Sequence, residues 1–116
     1  MGNLNPKPVE IEYGGKVYHC TFTLNCIDEA QEHFDKPLSE ITDVIMDGKQ
    51  TARNIRYLLT LLLNESEDAE ETLDERMVGK HIEFRNFDYY FGRIAECIGV
   101  SLPDAEDDDP NPKSGQ

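Results

Sequence analysis

The residues of this chain that could do chemistry are three histidines and three cysteines, beside 24 acidic residues. The six are His19, Cys20, Cys26, His33, His81 and Cys97. A structural zinc site needs two compact pairs of ligands, and the spacing of these residues offers no such pairs. An odd number of cysteines without a signal peptide is typical of a reducing compartment. We therefore interpret the cysteines as buried, reduced thiols that behave as small hydrophobic side chains.

The acidic residues do not form a recognisable catalytic pattern. General acid–base catalysis needs a pair of groups whose environments separate their pKa values. Here many carboxylates lie in runs over 65–75 and 104–109, where water would surround them. The histidines have no serine, cysteine or aspartate arranged as a nucleophile system. We predict that the protein is not an enzyme and uses no cofactor and no metal.

Charge and length restrict the classes of partner. The chain has 116 residues and a formal net charge of −13, which fits one acidic domain. Such a charge argues against binding to nucleic acid or to an anionic membrane surface. No apolar run has the length of a membrane span, and the polar N-terminus, broken by Pro6 and Pro8, does not resemble a signal peptide. These features predict a cytoplasmic protein.

The beginning of the chain has the alternation of a β-hairpin. Val9, Ile11 and Tyr13 are spaced by two, as in a strand that buries one face. Gly14-Gly15 can adopt the positive φ of a tight turn. We predict strands over roughly 9–13 and 17–22. Because an isolated hairpin is marginally stable, its apolar face must be covered by the rest of the chain.

After the hairpin the apolar period changes from two to three or four, which predicts helices. The first helix, capped by Thr23 or Asn25, carries an apolar face of Leu24, Ile27, Ala30 and Phe34. The second follows Pro37, ends at Asp47-Gly48, and has a stripe of Leu38, Ile41, Val44 and Ile45. The third is capped by Thr51, and its positions Ile55, Leu58, Leu59, Leu62 and Leu63 predict the centre of the core.

Two more helices are predicted before an acidic tail. Thr72 and Glu75 have the spacing of a capping box in front of a short helix. The last helix begins near Phe84, and Gly99 is placed to end it. The expected fold is α+β: an N-terminal β-hairpin packed on about four to five helices, forming one domain over 1–102. Residues 103–116 lack apolar anchors and are predicted to be a disordered acidic tail.

Aromatic residues surround more than half of the last predicted helix, which is more than one core stripe needs. Aromatic residues and arginine are enriched in protein interfaces. We therefore propose candidate partner-binding residues on this helix and at the start of the third helix: Phe84, Phe87, Tyr89, Tyr90, Arg53 and Arg56. A wide core contact in a small helical domain explains the same aromatics equally well.

The order of these features resembles the phage tail assembly chaperones. The resemblance covers roughly residues 8–100 and looks like the branch that includes the small tail proteins of gene transfer agents. It is carried by the hairpin over 9–18, the stretch Phe22-Thr23-Leu24-Asn25, the pattern Ile27-x-Glu29-x-x-Glu32 and a helix beginning near Pro37-Leu38. Cys26 stands where that branch commonly has alanine, which exchanges one small side chain for another.

The resemblance implies a non-enzymatic assembly factor. Such a protein binds the long, largely helical tape measure protein in the host cytoplasm, keeps it soluble during tail tube assembly, and is absent from the finished virion. Contact with tail tube protein and self-association are two further interactions that the resemblance leaves open. Two alternatives stand beside it: an acidic DNA mimic that inhibits a DNA-binding protein, and a minor structural tail component.

Overall fold

The computed structural model describes residues 7–45 and 51–101. Two strands and five α-helices follow one another in these ranges: β1 Val9–Tyr13, β2 Lys16–Cys20, α1 Leu24–Phe34, α2 Ile41–Ile45, α3 Thr51–Glu65, α4 Glu75–Lys80 and α5 Phe87–Ser101. Short 3-10 turns over Leu38–Glu40 and Phe84–Asn86 precede α2 and α5. The predicted α+β class is confirmed. No helix in the described ranges is both long and apolar enough to cross a membrane.

The hairpin forms as the alternation predicts. β1 and β2 pair antiparallel, with Ile11 opposite Tyr18. Gly14 and Gly15 take φ values of 62° and 78°. A residue with a Cβ would be sterically strained at these angles, and glycine is not. β2 ends at Cys20, two residues earlier than predicted. The side chains of Val9, Ile11 and Tyr13 are all buried, so the hairpin contributes one full face to the core.

Helix α3 is the centre of the core, as its apolar pattern predicts. The side chains of Leu58, Leu59, Leu62 and Leu63 are completely buried. The helix contacts α1, α2, α4, α5 and β2. Burying four leucine side chains contributes on the order of 6–12 kcal/mol before the entropy of ordering the chain is subtracted. The remaining elements are therefore arranged around one apolar helix.

Helix α1 begins as predicted, and Ile27, Ala30 and Phe34 of its predicted apolar face pack on the core. Thr23 is the N-cap, and its hydroxyl accepts a hydrogen bond from the backbone N–H of Cys26 at 3.2 Å. Cys26 and Ala30 are buried, whereas Leu24 is 79% exposed. The prediction that Leu24 lies on the buried face is wrong. Two residues before Cys26, its side chain projects from the opposite side of the helix.

Two predicted helix ends are also wrong. The N-cap of α4 is Asp74, whose carboxylate accepts from the N–H of Met77 at 2.7 Å, so Thr72 and Glu75 do not form the capping box. Burial of Leu73 fixes this register. Gly99 does not end the last helix, because α5 continues to Ser101. The predicted end of the second helix at 47–48, the domain boundary at 102 and the acidic tail 103–116 lie outside the described residues.

Candidate protein-interaction groove

A groove of about 430 Å³ lies where the start of α3, the end of α4 and the turn before α5 meet. Its lining combines apolar side chains with two arginines: Ala52, Arg53, Ile55, Arg56, Gly79, Ile82, Glu83, Phe84 and Phe87. Four of the six candidate binding residues therefore meet in one place. They come from two segments more than twenty residues apart in the sequence, which the packing of α4 against α3 brings together.

Phe84 is the most exposed large apolar residue of the described chain, at 97% of its surface. The 3-10 turn that carries it is held by local hydrogen bonds. Asn86 Oδ1 accepts from the backbone N–H of Glu83 at 2.9 Å, and Arg85 Nε donates to Glu83 Oε1 at 2.8 Å. Phe87, the next apolar residue, is half-buried and stacks on Phe91 with ring centroids 6.2 Å apart. The turn thus presents one phenyl ring to solvent beside another that is anchored.

The two arginines form the polar rim of the groove. The aliphatic part of Arg56 crosses α4 at Gly79, where an added Cβ would lie 2.9 Å from Arg56 Cδ. Arg56 Nε is 3.6 Å from Glu75 Oε1, too far for a hydrogen bond, and this buried nitrogen has no acceptor among the described residues. Arg53, one turn earlier in α3, is exposed. The side chain of Arg56 therefore packs across the glycine and lies near Glu75 without a hydrogen bond to it.

The structure separates the two candidate tyrosines from this groove. Tyr90 is buried, and its hydroxyl donates to the carbonyl oxygen of Glu12 at 2.6 Å. Tyr89 is 40% exposed, and its hydroxyl accepts from the backbone N–H of Glu12 at 2.9 Å. Both side chains therefore contact strand β1. For Tyr90, a wide core contact is the interpretation that agrees with its burial.

A second polar cluster joins the acidic turn after α3 to the hairpin, and the sequence patterns did not indicate it. Asp68 Oδ2 lies 2.8 Å from both the backbone nitrogen and Nδ1 of His19. The hydrogen bond to Asp68 raises the pKa of His19, and the backbone N–H of His19 is the main group that lowers the pKa of Asp68. Lys16 also donates to the Asp68 carbonyl. Part of the acidic run is thus a structural contact, not only a solvated loop.

The cysteines occupy the core, as predicted. Cys20, Cys26 and Cys97 are free and fully buried. Burial raises the pKa of Cys20 and of Cys97 to about 12, so neither thiol is ionised near neutral pH. Within 7–45 and 51–101, no group of three His, Cys, Asp or Glu side chains is placed to hold a metal ion.

Comparison of this chain with protein-family models, with curated proteins and with solved structures finds no match. Of the sites described, the groove combines an exposed apolar side chain, an apolar floor and cationic groups with incomplete pairing. These properties suit contact with another polypeptide, in which an apolar side chain enters the groove and a carboxylate meets the rim.

Proposed function

We propose that this protein is a non-enzymatic phage tail assembly chaperone that binds the tape measure protein and keeps it soluble during tail tube assembly. The proposal combines the resemblance over residues 8–100 with one observation, the exposure of Phe84 at the mouth of an apolar groove. It places the protein in the host cytoplasm while tails assemble and outside the finished virion.

Exposure of the Phe84 ring to water is unfavourable in the isolated chain, and burial of the ring in a complex would favour binding. Covering a phenyl side chain contributes roughly 1.5–3 kcal/mol through the hydrophobic effect. A groove of this kind is suited to an amphipathic helix, which inserts apolar residues spaced by three or four. A long helical tape measure protein would present such stripes repeatedly before the tail tube encloses it. A small chaperone with one groove could cover them in many copies.

The rim adds selectivity to this contact. Arg53 and Arg56 lie beside the apolar floor, and arginine binds carboxylates through paired, charge-assisted hydrogen bonds. We therefore expect the preferred segment to carry Asp or Glu next to its apolar stripe. The strong negative charge of the rest of the chaperone would keep the complex soluble and keep occupied copies apart.

The DNA-mimic alternative has less support. A mimic needs carboxylates on a rigid surface at the spacing of phosphates. In the described chain, several carboxylates instead bind neighbouring groups: Glu65 accepts from Thr23, Asp68 from His19 and Glu83 from Arg85. These three carboxylates are engaged by groups of the same chain.

Co-expression tests the proposal. The tape measure protein of the same phage genome is produced alone, with this protein, or with its Phe84→Glu variant, and its soluble fraction is measured after centrifugation. We expect the wild-type protein to raise that fraction and the variant to lose most of the effect. Losing about 1.5–3 kcal/mol corresponds to roughly a 10- to 150-fold weaker complex.

Leu24→Glu is the matched control. Leu24 is also a large exposed apolar residue, but it lies at the start of α1 near Glu65, at the opposite end of α3 from the groove. This variant should protect the tape measure protein as the wild type does. If wild-type protein leaves the soluble fraction unchanged, the chaperone proposal is wrong. If Phe84→Glu and Leu24→Glu behave alike, the groove is not the binding surface.

A further inference from the structure

A basic patch continues from the groove across α4. It consists of Arg53, Arg56, Arg76 and Lys80. A neighbouring hollow of about 460 Å³ is lined by Arg56, Arg76, Gly79 and Lys80. The hollow and the groove share Arg56 and Gly79, so the four cations form one continuous surface.

The charges of this patch are poorly compensated within the described fold. In the ranges 7–45 and 51–101, no carboxylate lies within ion-pair distance of Arg53, Arg76 or Lys80. Arg56 has the single partner Glu75 at 3.6 Å. The chain has only 11 Lys and Arg residues against 24 Asp and Glu residues, so a patch in which three of four cations lack an ion-pair partner among the described residues is unexpected. An acidic ligand would supply the missing charges.

The same chain contains a ligand of suitable charge. The acidic segment, 104–109, has the sequence Asp-Ala-Glu-Asp-Asp-Asp and contains no basic residue. Its one apolar side chain is the methyl group of Ala105. Electrostatic attraction, and not burial of apolar side chains, would therefore hold the acidic segment on a basic surface. Such attraction weakens as salt screens the charges.

The covalent connection is long enough for this contact. Helix α5 begins at the groove, where Phe87 lines it, and ends at Ser101. At about 1.5 Å per residue the helix carries the chain roughly 21 Å from the groove. A fully extended chain advances about 3.3–3.6 Å per residue, so the chain length allows Asp107 to Asp109 a reach of at most roughly 20–29 Å from Ser101. Asp108 and Asp109 can therefore reach the groove end of the patch, where Arg53 and Arg56 lie.

We propose that the acidic segment docks in cis on the basic patch of its own chain. The docked segment occupies the same arginines that an acidic partner would use, and any such partner must displace it. Docking in cis also prevents the patch of one copy from attracting the acidic surface of another. The contact does not require the proposed function, because no tape measure protein takes part in it.

Paramagnetic NMR on the full chain tests this docking. Ser114→Cys places a thiol beyond the segment, and a nitroxide label will attach there because the three native cysteines are buried. We expect amide signals of Ala52, Gly79 and Lys80 to lose intensity relative to the reduced, diamagnetic sample. Exchanging Asp107, Asp108 and Asp109 for asparagine should restore these signals, and so should high salt.

Two controls make the result specific. Arg76→Gln together with Lys80→Gln should restore the patch signals, whereas Lys36→Gln, which removes an exposed cation outside the patch, should not. The proposal would be overturned if the amide signals of Asp28 and Glu29 in α1 lost as much intensity as those of the patch. It would also be overturned if the patch signals stayed weak after the three aspartates were replaced by asparagine. A last sample mixes two forms of the protein, one with the nitroxide and no ¹⁵N, the other with ¹⁵N and no nitroxide. If patch signals lose intensity in this mixture, the segment of one copy docks on another copy, which would overturn docking in cis.

Discussion

The hydroxyl of Tyr90 donates a 2.6 Å hydrogen bond to the carbonyl oxygen of Glu12, joining α5 to the outer edge of β1. Tyr89 accepts from the N–H of the same residue, and Arg93 Nη1 lies 3.4 Å from the carbonyl oxygen of Glu10. On the other strand, Asp68 accepts from the N–H of His19. Side chains therefore occupy both free edges of the hairpin. A strand of another copy would have to displace them before it could pair there.

The edge contact predicts unequal effects of two similar substitutions. Tyr90→Phe removes the donor to the Glu12 carbonyl and should lower the free energy of unfolding by roughly 0.5–1.5 kcal/mol. Tyr89→Phe should cost less, because Tyr89 is partly exposed and water can replace its hydroxyl as the acceptor of the Glu12 N–H. Urea unfolding of both variants measures the difference. Equal stability of Tyr90→Phe and wild type would mean that the bond contributes nothing.

The position of α3 predicts a large effect at its centre. Leu59→Ala should lower the free energy of unfolding by roughly 2–5 kcal/mol, because it leaves a cavity in a completely buried site. Leu24→Ala is the control, since Leu24 is 79% exposed and its truncation should change stability by no more than about 0.5 kcal/mol. Thermal unfolding followed by circular dichroism separates the two. Similar melting temperatures for both variants would contradict the arrangement of the core.

The contact between His19 and Asp68 predicts a pH window. The pKa of His19 is raised above its ordinary 6.5, so its stabilisation is complete below that value and is lost as pH rises through the raised pKa. The pKa of Asp68 is lowered from 3.8, so its stabilisation is present above that value and is lost as pH falls through the lowered pKa. The contact therefore contributes most between these two ordinary values.

The titration of His19 by NMR measures this coupling. In Asp68→Asn the pKa of His19 should fall towards its ordinary value, because the neutral amide cannot favour the imidazolium as the carboxylate does. Glu67→Gln is a suitable control, since Glu67 adjoins Asp68 in the same turn and is exposed. A His19 midpoint that is the same in wild type and in Asp68→Asn would show that the ion pair does not persist in solution.

Two glycines in helices predict unequal effects of replacement by alanine on stability. Gly92 lies in α5, and beyond its chain neighbours and the backbone of its own helix no atom of the described residues lies within 4 Å of an added Cβ, so Gly92→Ala should stabilise the protein by roughly 0.5–1 kcal/mol. Gly79→Ala places its Cβ against Arg56 and must displace that side chain. We expect a smaller gain or a loss for Gly79→Ala, with a shifted Arg56 Nε–H signal. Equal stabilisation with an unshifted Arg56 signal would contradict the packing of Arg56 across α4.

The sequence predicts the elements whose signals are local and repeated. The alternation around Gly14-Gly15 indicates the hairpin, and the leucine pattern of α3 indicates the core helix. The start of α4 was misplaced because Thr72 and Asp74 are both good caps, and the burial of Leu73, a tertiary contact, selects Asp74. Periodicity also predicts Leu24 on the core face. A residue in the first turn of a helix can fit the spacing of the apolar face although no other element packs over it.

The candidate site was predicted only in part, for a related reason. An excess of aromatics near Phe84 and two arginines in α3 are visible in the sequence, but their meeting depends on how α4 packs. The hydrogen bond of Tyr90 is made to Glu12, 78 positions away in the sequence. No local pattern therefore distinguishes Tyr90, which is in the core, from Phe84, which is exposed. Gly79 and Ile82 line the groove with no sequence signal of their own.

The most direct test of the central claim is an NMR titration of ¹⁵N-labelled protein with a helical segment of the tape measure protein. The segment should have an apolar stripe flanked by carboxylates. We expect the shifts to concentrate at Arg53, Ile82, Phe84 and Phe87, and to be absent with the Phe84→Glu variant. Saturable shifts centred on the hairpin or on α1, or no shifts with any segment of that protein, would contradict binding of the tape measure protein at the groove.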